Sequence, residues 1–306
     1  DGATLDGTDV DSPDAGITIG GFDSENVEPT IRGITITRFE DGIDARNSDG
    51  DWVVSDVTVR IVQDDGIDID DSSGDWTVRD SEVASTGFDG ISAAESNGEW
   101  VIEDTIIRRT ELDGVDAEST FDDWAIRNVS VENNGISAAR SADDWIIEQS
   151  SVQGGIVAED SNGKWEIRRS VITGDLFNVP INAENTLGEW SISQSIINQT
   201  SDDASATAID ATDAIGEGIA TDNWWGSPSG PDENACVGNV DCSDPLTTRP
   251  SDVGYNPDDG DESTPTPTPT PTPTITAVDD FVQVGGTAKV SYILNNVSDQ
   301  SSVELT

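Results

Sequence analysis

The chain has 306 residues, 62 of them acidic against 14 basic, with no His and two Cys, for a formal net charge of -48. So negative a surface excludes nucleic acid as a partner, the missing His and scarce Cys exclude an ordinary zinc centre, and the absence of any apolar run of about 18 residues means that no membrane span is expected in this segment. Nine Trp at regular positions exclude a disordered acidic chain, and salt reconciles the charge with a fold, since at about 1 M ionic strength the Debye length is roughly 3 Å.

In chain order, residues 16–19 (Gly-Ile-Thr-Ile) and 29–36 (Pro-Thr-Ile-Arg-Gly-Ile-Thr-Ile) look like pieces of structural coils, so a solenoid is expected to begin upstream of them. The repeat itself is carried by Trp52, Trp76, Trp100 and Trp124, spaced by 24, and continues through Trp145, Trp165 and Trp190 at spacings of 21, 20 and 25. Two residues after each Trp stands an aliphatic (Val54, Val78, Ile102, Ile126, Ile147, Ile167, Ile192), and seven after stands another (Val59 through Ile197). Nine before stand Ile43, Ile67, Ile91, Val115, Ile136, Ile156 and Ile181, and seven before stand Ala45, Ile69 and five further Ala. Alternate residues of a strand share a face. Three such pairs therefore predict three short strands per coil, with the Trp and aliphatic columns inside.

The parity change after the Trp strand predicts a corner at pairs such as Glu103-Asp104 and Arg168-Arg169. A second corner precedes Trp, as in Ser96-Asn97-Gly98-Glu99, where Gly suits positive φ. The third absorbs insertions, which places variable loops along one edge. Strands that recur in one order without reversal stack in parallel at about 4.8 Å per coil, and the crossover preference makes the winding right-handed. Three residues after each Trp the signs alternate through Arg79, Glu103, Arg127, Glu148 and Arg168, a ladder expected to pair opposite charges. The indoles are expected to be core, with their N–H groups reaching turn carbonyls.

Beyond residue 204 the pattern loosens, with Ile209 and Ala211 in the usual slots, and residues 222–250 are expected to cap the last coil. Cys236 and Cys242 bracket five residues and fit a disulfide in an oxidising compartment. Residues 251–274, acidic and then Thr-Pro repeats, predict an extended linker. Residues 275–306 are expected to be the start of a truncated β-sandwich, Ig-like or cohesin-like. Asn128, Asn198 and Asn296 head glycosylation sequons. The fold class expected is all-β: a right-handed, three-sheet parallel β-helix of about eight or nine coils over residues 1–250, then linker, then β-fragment.

The coils Asp-Gly-Ile-Asp-Ala with Trp-x-Ile-x-x-Ser-x-Ile, and the segment Asp-Asn-Trp-Trp-Gly-Ser-Pro-Ser-Gly-Pro at 222–231 followed by Gly-Asn-Val-Asp at 238–241, resemble the right-handed parallel β-helix repeat proteins of the pectate-lyase-like superfamily. The likeness is to secreted and surface members from halophilic archaea, and it spans residues 1 to about 250. It implies the fold far more than an activity, since the superfamily includes lyases, hydrolases, carbohydrate binders and adhesins.

Asp64, Asp65 and Asp68 look like the aspartate cluster of the polygalacturonase branch and are the catalytic candidates. That branch's Gly-His-Gly and Arg-Ile-Lys elements are missing, and the same string recurs in register at Asp41-Gly-Ile-Asp44 and Asp113-Gly-Val-Asp116, as a repeat element would. Carboxylates from neighbouring coils could share calcium, with Asp41, Asp44, Asp65, Asp68, Asp113 and Asp116 as the candidate ligands. A solvated acidic face accounts for the same residues. Arg46 and Arg140 are conceivable bases. The function expected is an extracellular, cell-surface structural, adhesive or polysaccharide-binding module contacting polysaccharide or envelope components, with a secreted lyase or glycosidase as the alternative. Three carboxylates and an Arg converging in a groove would favour the enzyme; evenly spread Asp would favour the module.

Overall fold

The computed structural model describes residues 3–9, 14–20, 29–174, 179–198 and 207–255, together with four two-residue strands between 283 and 305. Three all-parallel sheets form a solenoid of about nine turns, with nine strands in sheet A and ten each in sheets B and C. Sheet C carries the Trp strands, from Thr30–Arg32 and Trp52–Ser55 through Trp190–Ser193 to Val240–Asp241. Sheet A follows it around each coil (Thr58–Arg60, Glu82–Ala84 and onward), and sheet B closes the turn (Asp41–Asp44, Ile67–Asp68, Ile91–Ser92 and onward). Each Trp pairs in register with the Trp one coil away, and each inward aliphatic with its equivalent, as for Ile43, Ile67 and Ile91.

The inward columns are almost wholly dry. The seven Trp are no more than 3% exposed, and Val54, Ile67, Ile102, Ile126 and Ile172 are at 0%; burying one such aliphatic favours the fold by about 1.5–3 kcal/mol. The indoles stack face to face along the axis, with centroids 4.6–5.5 Å apart and planes within 7°. Their polar ends differ from expectation. Trp52 and Trp124 donate to the hydroxyls of Ser48 (3.3 Å) and Thr120 (3.1 Å), while the N–H groups of Trp76, Trp100, Trp145, Trp165 and Trp190 are buried without a partner. Turn carbonyls are taken instead by hydroxyls of the same corner, as where Ser96 donates to Ala93 at 2.8 Å, or of the next coil, as where Ser161 donates to Ala138 at 2.9 Å.

Corners are built from residues in the left-handed region. Between sheets C and A these are Asp56, Asp80, Asp104, Asn128, Gln149, Arg169 and Gln194, with φ of 49–55° at positions such as Arg169 and Asp56; the short side chains of Asp and Asn tolerate that region best. At the corner before Trp, positive φ falls mainly on Asn47, Asp71, Glu95, Ser119, Arg140, Asp160 and Asn185, not on the Gly. Gly98 does lie at φ 115°, and other Gly of the column serve close stacking, since a Cβ on Gly163 would meet Asp143 O at 1.9 Å, although Asp122 and Asp143 hold the same position in two coils. The charge ladder is in register, Glu103 lying between Arg79 and Arg127. Within it Arg168 closes on Glu148 at 2.8 Å, whereas Arg79 turns to Asp80 at 3.4 Å, consistent with the small worth of exposed pairs.

The solenoid continues through the segment expected to be a plain cap. Gly218 takes the Trp slot above Trp190, where a Cβ would come within 2.0 Å of the indole, so the stack ends on a residue with no side chain. Trp224 bridges Ile196 on sheet A, and a further coil follows: Cys236–Gly238 pairs with Ile209–Ala211 in sheet B and Val240–Asp241 with Gly218–Ile219 in sheet C. Cys236 and Cys242 are disulfide-bonded across this coil, Cα–Cα 6.7 Å, and Cys242 packs against the core. Its inward slots carry Cys236 opposite Ile209 and Val240 opposite Gly218, with Cys242 also packed on the core, so neither Ile nor Trp marks it, which is why the periodic signal fades there. Most of residues 256–306, including the Thr-Pro repeats and Asn296, lie outside the described residues; within them, Gln283–Val284 pairs antiparallel with Thr287–Ala288 and Val290–Ser291 with Glu304–Leu305.

Candidate functional site

Two surfaces of the rod combine enough chemistry to be candidate sites. The first is on sheet B. Each Asp-Gly-Ile-Asp string places one carboxylate just ahead of the inward aliphatic and one just after it. The first row is a hydrogen-bonded ladder: Asp41 accepts from the Asp65 N–H at 3.2 Å, Asp65 from Asp89 at 2.8 Å, and Asp89 from Asp113 at 2.6 Å. Gly66 in this motif is a packing residue, because a Cβ there would meet Val83 Cγ1 at 2.2 Å. The second row is Asp44, Asp68, Ser92 and Asp116.

Carboxylate oxygens of Asp41, Asp65 and Asp68 lie within 4.8 Å of one another, and this trio could hold a hard cation. Asp41 and Asp68 are each 4% exposed. Asp44 joins them through Arg46, whose guanidinium reaches Asp44 at 3.0 Å, Asp68 at 3.0 Å and Asp41 at 3.4 Å. Hydrogen bonding to Asp44 foremost, then the carboxylates of Asp68, Asp44 and Asp41, raises the Arg46 pKa. Asp113 and Asp116 sit two coils from Asp65 and Asp68, so the six candidate calcium ligands form two groups rather than one. Arg140 stands by the second group, paired with Glu118. Asp64 is half-buried and outside the trio.

Burial raises the pKa of the whole ladder. Asp65, Asp68 and Asp89 are pushed up to about 7, and Asp41, Asp113 and Asp116 to about 6, desolvation being the largest cause in each and like-charged neighbours adding to it. Carboxyls that titrate near neutrality could exchange protons with a ligand or trade them for a cation. Asp89 and Asp70 were missed in the sequence because Ser92 interrupts the Asp-Gly-Ile-Asp string. Asp70 accepts from Ser92 Oγ at 2.7 Å and raises the pKa of Asp116. The register of the inward column, with Ile91 nine before Trp100, would have placed Asp89 in the row.

The second surface is a groove of about 620 Å³ on the outer face of sheet C. Its floor is the strand backbone from Trp52 to Trp165. One wall is the row Asp51, Asp75, Glu99, Asp123, Asp144 and Lys164, and the other is Thr77, Val101, Ala125, Ile146 and Glu166, with Arg127 beside them. Neighbouring members of the acidic row are tied by the same ladder device, as where Asp51 accepts from the Asp75 N–H at 3.0 Å and Asp75 from Glu99 at 2.9 Å. None of the sheet B carboxylates lines it. The trio and Arg46 therefore converge, but apart from the groove.

Compared with protein-family models, with curated proteins and with solved structures, the chain matches none.

Proposed function

We propose that the chain is a non-catalytic β-helix module of a secreted or cell-surface protein, adapted to high salt, that lays a linear polysaccharide along the groove of sheet C. The observation that carries this is the groove's shape: it crosses six coils with one wall of regularly repeated charged groups and an opposite wall whose middle is the apolar run Val101, Ala125 and Ile146, flanked by Thr77, Arg127 and Glu166, spanning roughly 24 Å at about 4.8 Å per coil. Hydrogen-bonding groups at a fixed step beside an apolar strip suit the alternating hydroxyls and ring faces of an extended sugar chain. Glycans at Asn128 and Asn198, both half-buried beside corners or strand ends, belong to the same reading.

The test is a panel of soluble polysaccharides at 2–3 M NaCl (about the range that shrinks the Debye length below 3 Å), with retardation in affinity electrophoresis as the readout, and with reducing ends and unsaturated-uronate absorbance measured in parallel. Retention without bond cleavage, weakened by Val101→Arg, is expected. Turnover would overturn the non-catalytic reading.

One observation favours a second reading, a polysaccharide lyase or hydrolase that uses sheet B. Asp41, Asp65 and Asp68 gather within 4.8 Å beside Arg46, the composition a calcium-assisted site needs. Arg46 is already engaged by three carboxylates, however, and is held more firmly protonated than usual, which opposes a role as base.

A further inference from the structure

After the last coil the chain turns back along the rod. Asp244 accepts from the Asp222 N–H at 3.0 Å and Leu246 donates to Asn223 at 2.9 Å, both at the C-terminal end of the solenoid. Eight residues later Gly254 donates to Arg169 at 2.8 Å. Tyr255 then brackets Ser151, its N–H donating to Oγ at 3.0 Å and its carbonyl accepting from the same hydroxyl at 2.9 Å. Ser151 lies four coils back from Asp244, on the outer face of sheet A.

This seat is specific. Gly254 adopts φ 78°, and a Cβ there would meet Ser151 Oγ and Val171 Cγ2 at 2.7 Å each. Strand alternation points Ile196 and Ser130 outward, yet they are only 2% and 8% exposed. Tyr255 is half-buried, and burial foremost, then the carboxylates of Asp104 and Asp80, raises its pKa.

We infer that residues 244–255 are a clamp that mounts the rod by its flank: sheet A faces the remainder of the protein, and sheets B and C, with the acidic ladder and the groove, face outward. A chain continuing straight from the last coil would leave from the tip. Here Tyr255 sits on the side of the solenoid, roughly 19 Å back along the axis at about 4.8 Å per coil. The consequence for display rests on the proposed surface function; the clamp itself does not.

The test uses the full chain and two variants at high salt. Gly254→Val puts a side chain where Ser151 and Val171 stand, and Ser151→Ala removes the bracketing hydroxyl without adding an atom. In the parent, the amides of Gly254 and Tyr255 should exchange slowly and chymotrypsin should cut after Tyr255 slowly. In Gly254→Val both should speed up by about tenfold or more, as for any segment released from its contacts, and small-angle scattering should show a longer maximum dimension. Ser151→Ala should shift exchange the same way by a smaller factor, and it carries the comparison alone if Gly254→Val loses its β-sheet signal. Equal exchange, cleavage and dimension in parent and variants would overturn the clamp. None of these readouts involves a polysaccharide, so failure of the groove to bind leaves this result unaffected.

Discussion

Replacing Asp68 by Asn should stabilise the protein at pH 8 and leave it nearly unchanged at pH 4. The carboxyl is 4% exposed and its pKa is pushed up to about 7 from 3.8, mainly by burial. A difference of about three pH units corresponds to roughly 4 kcal/mol spent in holding the charged form folded. The sign follows from proton counting. Between pH 4 and 7 the folded state keeps a proton that the unfolded state has released, so stability falls as pH rises through that window and is level above it. The amide removes the charge and keeps the shape; the attraction of Arg46 already lowers the Asp68 pKa and is contained in that figure. Arg46 keeps Asp44 and Asp41. The net gain expected at pH 8 is therefore up to roughly 4 kcal/mol. Urea unfolding in 1 M NaCl at pH 4.5 and 8 measures it, with exposed Asp143→Asn as the control. The parent should be more stable at the lower pH, with a shallower slope in Asp68→Asn because Asp65 loses a like-charged neighbour as well. A variant less stable than the parent at pH 8, or one with an unaltered slope, would refute the buried-charge argument.

The indole stack gives a second expectation: Trp100→Ala, which removes a ring 4.7 and 4.8 Å from its two neighbours, should cost about 3–5 kcal/mol for the cavity, plus about 0.5–1.5 for each stacking partner lost. Trp52→Ala, with one stacked neighbour among the seven, should cost less, and thermal melts of the two variants at high salt would rank them. Dilution to low salt should loosen the solenoid before any residue is changed, since the Debye length grows to about 30 Å at 0.01 M; a circular dichroism spectrum unaltered by that dilution would contradict salt adaptation.

The architecture was legible because it depends on one-dimensional bookkeeping: Trp at a nearly constant interval and aliphatics at fixed offsets leave only the winding to infer. Register followed for the same reason, Ile67 having nowhere else to pair than Ile43 and Ile91. What could not be read depends on distances across coils. The partners of the indole N–H groups were misjudged because Ser96 and Ser161 compete for the same carbonyls, and sequence spacing does not rank donors. The last coil was hidden because Gly218 and then Val240 stand in the Trp slot and Cys236 stands opposite Ile209. Asp89 was lost because attention fell on a four-residue string rather than on the column it occupies.

The two acidic ladders also separate what composition explains from what it leaves open. Asp51, Asp75, Glu99, Asp123 and Asp144 are exposed, and an excess of such residues is what a surface facing concentrated salt would carry; mobile cations screen them where they stand. Asp41 and Asp68 are buried nearly as fully as the aliphatics beside them, so screening by bulk salt reaches them poorly, and the cost of their charge must be met locally. Arg46 meets part of it at one end of the row. Asp65, Asp89 and Asp113 have no such cation against them among the ion pairs of the described residues, and neutralisation there falls to protons or to an ion between coils. A salt-adapted surface would account for the exposed row of sheet C, while sheet B retains an unfavourable charge row that a simple solvated face would not have required.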